Sequence, residues 1–256
     1  MSVLCNFLKR LTIKIEANTN NCCLNEKSLA KISSKWMNPR PRSCCPYTPT
    51  VFEHYANVVT HGIVIIPSIV GAYYLNYYAK THDQYRSTLI YGISLILLFT
   101  VSTLFHLCSM LEVLRRTGWK TFFHYCDRAT IYVFIASSYT PWLYLRSPNS
   151  AFGQSMIYVV WIGAALGIAY QLIFHEKFKI LEIIFYLMIG VCPSIVVIDM
   201  EDVSGLTELA IGGALYVSGV LFFKSDGLIP FAHAIWHLFV TLGACVHFYA
   251  VYNYLL

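Results

Sequence analysis

The chain has 256 residues and carries 18 Lys and Arg against 13 Asp and Glu, a formal net charge of +5. Hydrophobic residues make up 57% of it, charged residues only 12%, and the mean hydropathy is +0.57. This balance excludes an ordinary soluble domain, names the lipid bilayer as the expected surroundings, and gives no reason to expect a nucleic-acid partner.

Residues 1–45 are basic, rich in Asn and broken by Pro39 and Pro41, with Pro46 just beyond them, so they read as a disordered cytosolic tail. No signal peptide is expected, because the start lacks an apolar core of adequate length. Leu4 to Ile15 is weakly amphipathic and could rest on an anionic membrane surface. Cys5, Cys22, Cys23, Cys44 and Cys45 lie in this tail, where thiols stay reduced; the adjacent pairs suit S-acylation better than bridging. Cys108, Cys126, Cys192 and Cys245 read as small apolar packing residues.

Residues 46–256 form the membrane domain. Apolar runs cover Ala56 to Tyr78, Leu89 to Met110, Phe122 to Leu145, Met156 to Phe174, Leu181 to Ile198, Leu206 to Phe223 and Leu228 to Tyr252. Each is long enough to cross about 30 Å of hydrocarbon at about 1.5 Å per residue, which predicts an all-α bundle of seven transmembrane helices. Glu182 and Glu208 near the starts of the fifth and sixth runs leave six as the competing count. Pro67, Pro141 and Pro193 are expected inside helices, and His82 and His175 in loops. With the amino terminus in the cytosol, fourteen Lys and Arg fall on that side and three on the other. The positive-inside rule therefore places the carboxyl terminus in the lumen or outside. Trp119, Trp142, Trp161, Tyr144, Tyr252 and Tyr254 read as interfacial anchors.

The polar residues inside these helices carry the functional information, because burying them in lipid is costly. Ser102 and His106 end the second helix four residues apart, and so face the same way. His124 and Asp127 share a face at the start of the third, and His233 and His237 form a second i, i+4 pair in the seventh. His106, Asp127 and His233 all lie about 5 to 11 Å below the same surface. Glu53, Asn57 and His61 of the first helix join that layer or sit just above it.

Three imidazoles with one position open to water form the ligand set of a catalytic zinc site. His106, His233 and His237 are the candidate ligands. Asp127 would bind through water or act as base, with Ser102 as an oxyanion or supporting partner. The alternative is that such histidines only hydrogen-bond across helices. His124 is either a spare ligand or a partner for Asp127, His247 a helix-bonding residue, and Arg128 a partner of Asp127, Glu53 or headgroup phosphate.

The combination Ser102-x-x-x-His106, Asp127 and His233-x-x-x-His237 resembles the signature of the progestin and adipoQ receptor (PAQR) family, related to the bacterial hemolysin III proteins. Glu53-x-x-x-Asn57-x-x-x-His61 is similar to its first-helix motif. The resemblance runs from about Pro46 to Leu256 and implies seven helices, a cytosolic amino terminus and zinc on the residues matching His106, His233 and His237. It also implies lipid-amide hydrolysis of the ceramidase kind, with a sphingolipid-like or fatty-acyl ligand, and an endosomal, lysosomal or Golgi membrane over the plasma membrane. Two departures stand out: the tail is short, and Arg128 follows Asp127 where the adiponectin-receptor branch has an aromatic. A signalling protein with a zinc site, recruiting cytosolic partners through its basic tail and loops, ranks ahead of a zinc-dependent lipid hydrolase. A pore ranks last, because no helix carries a sustained polar stripe.

Overall fold

The computed structural model describes residues 35–40, 47–111, 114, 118–146, 150–174 and 178–256. The expectations for the tail at residues 1–34 and 41–45, including Leu4 to Ile15 and the cysteines Cys5, Cys22, Cys23, Cys44 and Cys45, lie outside the described residues. So do Arg115, Arg116, His175 and Lys177.

Among the described residues the chain is helical without strands, and it forms seven rods. The first is α1 (Val51–Gly62) followed by α2 (Ile65–Tyr78). Its start is fixed by a capping box: Glu53 N–H donates to Thr50 Oγ1 at 3.3 Å, and Thr50 N–H donates to the Glu53 carboxylate at 2.7 Å. The break at residues 63–64 has a cause in Pro67, which lacks the N–H that would reach the Ile63 carbonyl and whose ring crowds it. Ser68 Oγ closes the neighbouring Val64 carbonyl at 2.8 Å.

The second rod, α3 (His82–Met110), begins seven residues before the apolar run, because Thr81 and Gln84 build a second capping box. His82 and Arg86 are therefore helical and not in a loop. The third rod is α4 (Gly118–Leu145) and the fourth is α5 (Ala151–Phe174). The fifth starts as α6 (Lys179–Val191) and tightens into a 3-10 helix over Cys192–Asp199. Pro193 lies inside this rod at the junction of its two parts, where its missing N–H cannot continue the α6 ladder to the Ile189 carbonyl. The sixth rod, α7 (Leu206–Phe223), has the bounds its apolar run predicts, and the seventh, α8 (Ala232–Leu255), starts four residues later than expected.

Among the described residues six of the seven rods are long and apolar enough to cross a membrane, the fifth and sixth being separate spans among them. The remaining rod, α4, is 28 residues and so about 42 Å long. It carries Lys120, Asp127 and Arg128, and it is central: Tyr132, Phe134, Ala136 and Trp142 on it are buried in the main core cluster. Large aliphatic side chains such as Ile66, Leu166 and Leu221 instead stand exposed on the outside, as lipid-facing residues do.

Two groups of residues depart from expectation. Trp142, read as an interfacial anchor, is 2% exposed and donates to His247 Nε2 at 3.2 Å, because the end of α4 is enclosed by α8. Trp161 likewise turns inward, donating to Thr140 Oγ1. Cys108 is buried, whereas Cys192 and Cys245 are exposed and so do not pack the core; all three are free thiols.

Candidate metal centre

The amino-terminal part of the first rod is pinned over one end of the bundle. Tyr47 Oη donates to the Glu53 carboxylate at 2.8 Å, and Asn38 N–H donates to Tyr47 Oη at 3.1 Å. Burial and the Glu53 carboxylate push the Tyr47 phenol above its ordinary value, so it remains a donor. Glu53 is consumed by these contacts and by the cap, which leaves Asn57, Thr60 and His61 as the residues α1 turns toward the other rods.

His106 from α3 and His233 and His237 from α8 converge: one ligand atom from each lies within 4.8 Å of the others. A tetrahedral zinc ion with nitrogen at about 2.0–2.1 Å needs them roughly 3.3 Å apart, a small contraction from this arrangement. His106 is 4% exposed, and its buried Nε2 has no hydrogen-bond partner. An orphaned buried nitrogen of this kind costs about 1–3 kcal/mol unless a partner meets it, and a cation does so when the nitrogen presents its lone pair. The donor set therefore fits a metal ion.

The other two ligands are oriented from behind. Thr60 Oγ1 lies 2.8 Å from the Ala56 carbonyl, which can only accept, and 2.9 Å from His237 Nδ1. With its single proton donated to the carbonyl, Thr60 accepts from His237, so Nδ1 carries the hydrogen and Nε2 presents its lone pair. His233 Nδ1 approaches the Asp226 carboxylate at 3.6 Å. Phe231, just before α8, adopts a left-handed backbone at φ 58°, unusual for a non-glycine residue, and this turn sets the rotation at which the helix starts.

Ser102 and Asp127 stand beside the three histidines. Ser102 Oγ is 2.9 Å from His61 Nδ1 and within hydrogen-bonding reach of the Asp127 carboxylate. His61 is 3% exposed, and its ring stacks on that of His237 with centroids 3.7 Å apart. Neither Asp127, His61 nor His124 belongs to the three-residue cluster. The His124 ring stacks on Phe105 at 4.6 Å and its Nε2 accepts from Arg128 Nε at 3.3 Å.

Arg128, besides its charge interaction with Asp127, has a carboxylate partner that was not read from the sequence. Its guanidinium meets Glu182 at 2.8 Å, with Glu182 2% exposed, and Tyr186 Oη lies 3.1 Å from both the Glu182 carboxylate and the Arg128 carbonyl. None of the three partners considered from sequence was Glu182, because rods three and five meet only in the fold.

One cavity of about 1270 Å³ joins these groups. Along α4 its lining passes from Lys120 through Asp127 and Phe134 to Trp142, about 33 Å of helix. Beyond the histidines the walls are mainly apolar, including Leu98, Leu187, Val217 and Val240. The arrangement can hold a metal ion at one end of a volume suited to a large apolar ligand. Thr60 and Asp226 were not singled out from sequence. Thr60 lies one position from His61 in the first-helix motif, and Asp226 lies seven before His233 in a turn read only as a loop.

A family model described as Haemolysin-III related matches residues 50–248. The chain is 47% identical over 221 residues to monocyte to macrophage differentiation factor of Homo sapiens, covering 86% of this chain and 92% of that protein. It is 33% identical over 211 residues to the Hemolysin-3 homolog of Bacillus subtilis (strain 168), at 80% and 95% coverage. Hemolysin-3 of Bacillus cereus gives 34% over 217 residues, at 82% and 94%.

Proposed function

The chain belongs to the haemolysin III-related (PAQR) family, and from that premise we propose that it is a multi-pass signalling protein with a zinc ion on His106, His233 and His237. The observation that carries the metal is the buried, partnerless Nε2 of His106 beside two histidines of another helix. The signalling role comes from the likeness to monocyte to macrophage differentiation factor, whose name describes a change of cell state. In this reading the end of the bundle bearing Lys120 and Lys224 faces the cytosol, residues 1–45 form a cytosolic tail, and the tail and loops recruit protein partners. The membrane is that of the endosome, lysosome or Golgi.

A second reading, favoured by the cavity and by Asp127 and Ser102 beside the histidines, is hydrolysis of a lipid amide or ester of the ceramidase kind. A zinc ion would supply Lewis-acid polarisation and a more acidic water. Asp127 would accept the proton of the attacking water and return it to the leaving amine or alcohol. Ser102, held between His61 and Asp127, would orient that carboxylate and offer its hydroxyl to the developing oxyanion. The apolar walls would seat the acyl chain as a sphingolipid-like or fatty-acyl ligand.

Substitution separates the two readings. With Asp127→Asn the signalling protein retains its effect on cells, whereas the hydrolase loses turnover of ceramide or a related lipid by reconstituted protein. Preserved signalling with no turnover in wild type selects the first reading. Turnover in wild type, with loss of both turnover and signalling in the variant, overturns it.

A further inference from the structure

Away from the three clustered histidines, the lining of the cavity turns polar again at Ser138, Trp142, Tyr216 and His247. His247 is 7% exposed, and its Nε2 accepts from Trp142 Nε1 at 3.2 Å. An indole nitrogen can only donate, so the single hydrogen of the neutral imidazole sits on Nδ1. That Nδ1 faces the Ser138 backbone carbonyl without meeting hydrogen-bond geometry, and among the described residues it has no hydrogen-bond partner. The Tyr216 hydroxyl oxygen is likewise buried without a partner.

Close packing of α7 on α8 brings these two groups together. Tyr216 follows Gly212 by one turn on α7, and His247 follows Gly243 by one turn on α8. A Cβ on Gly243 would lie 2.8 Å from Cζ of Tyr216, and one on Gly212 would lie 3.4 Å from the Gly243 carbonyl oxygen. The hydroxyl carried on that Cζ is therefore held against the face of α8 that presents His247. Tyr91 of α3, 0% exposed, adds a third partnerless hydroxyl, its ring centroid 4.9 Å from that of His247.

Tyr91, Tyr216 and His247 are about 12 to 15 Å of helix rise from the far ends of α3, α7 and α8, a depth at which lipid offers no hydrogen bonds. Buried polar groups are nearly always paired, so three at one level on three rods call for a common partner. Nδ1–H and the Tyr216 hydroxyl can both donate, which makes that partner an oxygen. His237 and His247 both line the cavity, ten residues apart on one helix and so about 15 Å apart along it. A zigzag of carbon–carbon bonds, each about 1.5 Å, covers that distance with about twelve carbons.

We infer that the far end of the cavity, at His247 and Tyr216, binds a hydroxyl group carried about twelve carbons along a fatty-acyl chain whose carbonyl end lies at the histidine cluster. The inference deepens the acyl-ligand reading above and rests on it. It makes the preferred ligand a mid-chain hydroxylated acyl lipid, where a plain saturated chain would leave the polar end of the cavity unmet.

Binding to the purified full-length protein in detergent tests this, with three probes: octadecanoate, 12-hydroxyoctadecanoate and 6-hydroxyoctadecanoate. The 12-hydroxy acid binds at least about fivefold more tightly than octadecanoate, as a hydrogen bond to buried, otherwise unpaired donors requires. The 6-hydroxy acid, whose oxygen falls among apolar walls, binds no more tightly than octadecanoate. The preference for the 12-hydroxy acid falls below about threefold in Tyr216→Phe and below about twofold in His247→Phe, while octadecanoate binding stays within about twofold of wild type. Tyr216→Phe removes a single oxygen and carries the test together with the positional pair if His247→Phe does not fold.

Equal binding of octadecanoate and the 12-hydroxy acid overturns the inference and leaves the three groups to water. An equal gain from the 6- and 12-hydroxyl groups, or a preference unchanged in the variants, overturns it as well. Octadecanoate bound without any preference counts against the hydroxyl site alone, whereas binding of none of the three acids overturns the acyl-ligand reading along with it.

Discussion

The Thr60 hydroxyl lies 2.9 Å from Nδ1 of His237 across 177 positions of sequence, and this contact decides which nitrogen of His237 faces the other two histidines. It joins the first rod to the seventh at the level of the cluster, so the position of α1 and the tautomer of a candidate ligand are coupled.

Thr60→Val removes the oxygen while keeping the shape. Metal affinity measured by chelator competition should fall roughly 10- to 100-fold, the usual effect of losing a group that orients a ligand histidine. Thr60→Ser should bind metal within about threefold of wild type. Equal affinities in all three proteins would place control of the tautomer elsewhere.

The Arg128–Glu182 pair, with side chains 14% and 3% exposed, should behave as a buried ion pair. Glu182→Ala removes the buried carboxylate that meets the guanidinium at 2.8 Å and should cost about 3–5 kcal/mol of stability, read as a fall in the thermal transition of detergent-solubilised protein. Replacing both partners, Arg128→Met with Glu182→Leu, should recover most of that loss. A single variant as stable as wild type would show that the pair contributes nothing.

Gly227 has φ 75° and no room for a side chain beneath Arg40. Gly227→Ala should cost about 1–2 kcal/mol from the backbone alone. It should also increase protease cleavage near residues 35–40 as that segment lifts. Unchanged cleavage would mean that the segment is held by other contacts, such as Trp36 on Phe52 at 5.1 Å.

The seven rods and the convergence of the histidines were legible in the sequence for simple reasons. An 18-residue apolar run has few uses outside a membrane. An i, i+4 pair must share a helix face, and counting rise from a charged loop gives depth without knowing the fold. Ser102, His106, Asp127, His233 and His237 were found in that way.

Less was legible where the cause lies between helices. Glu182 pairs with a residue 54 positions away, and no spacing announces that. Trp142 looked interfacial because it stands near a helix end, yet α8 covers it. The early starts of α1 and α3 could have been read, because Thr50-x-x-Glu53 and Thr81-x-x-Gln84 both have the capping-box pattern. The 3-10 segment at Cys192–Asp199 had Pro193 as a signal, though an apolar run does not distinguish one helical form from another.

Asp127 lies beside the histidines without joining them. Asp127→Asn should therefore leave metal content unchanged while lowering any lipid turnover by about 10²- to 10⁴-fold, the range for losing a general base. Loss of metal together with activity would make Asp127 a ligand.

The central claim is that His106, His233 and His237 hold one metal ion. Elemental analysis of purified protein beside its His237→Ala variant, both checked for folding, tests it directly. The account predicts about one equivalent of zinc per chain in the wild type and a large loss in the variant. Folded wild-type protein without metal, or equal metal in both, would contradict it.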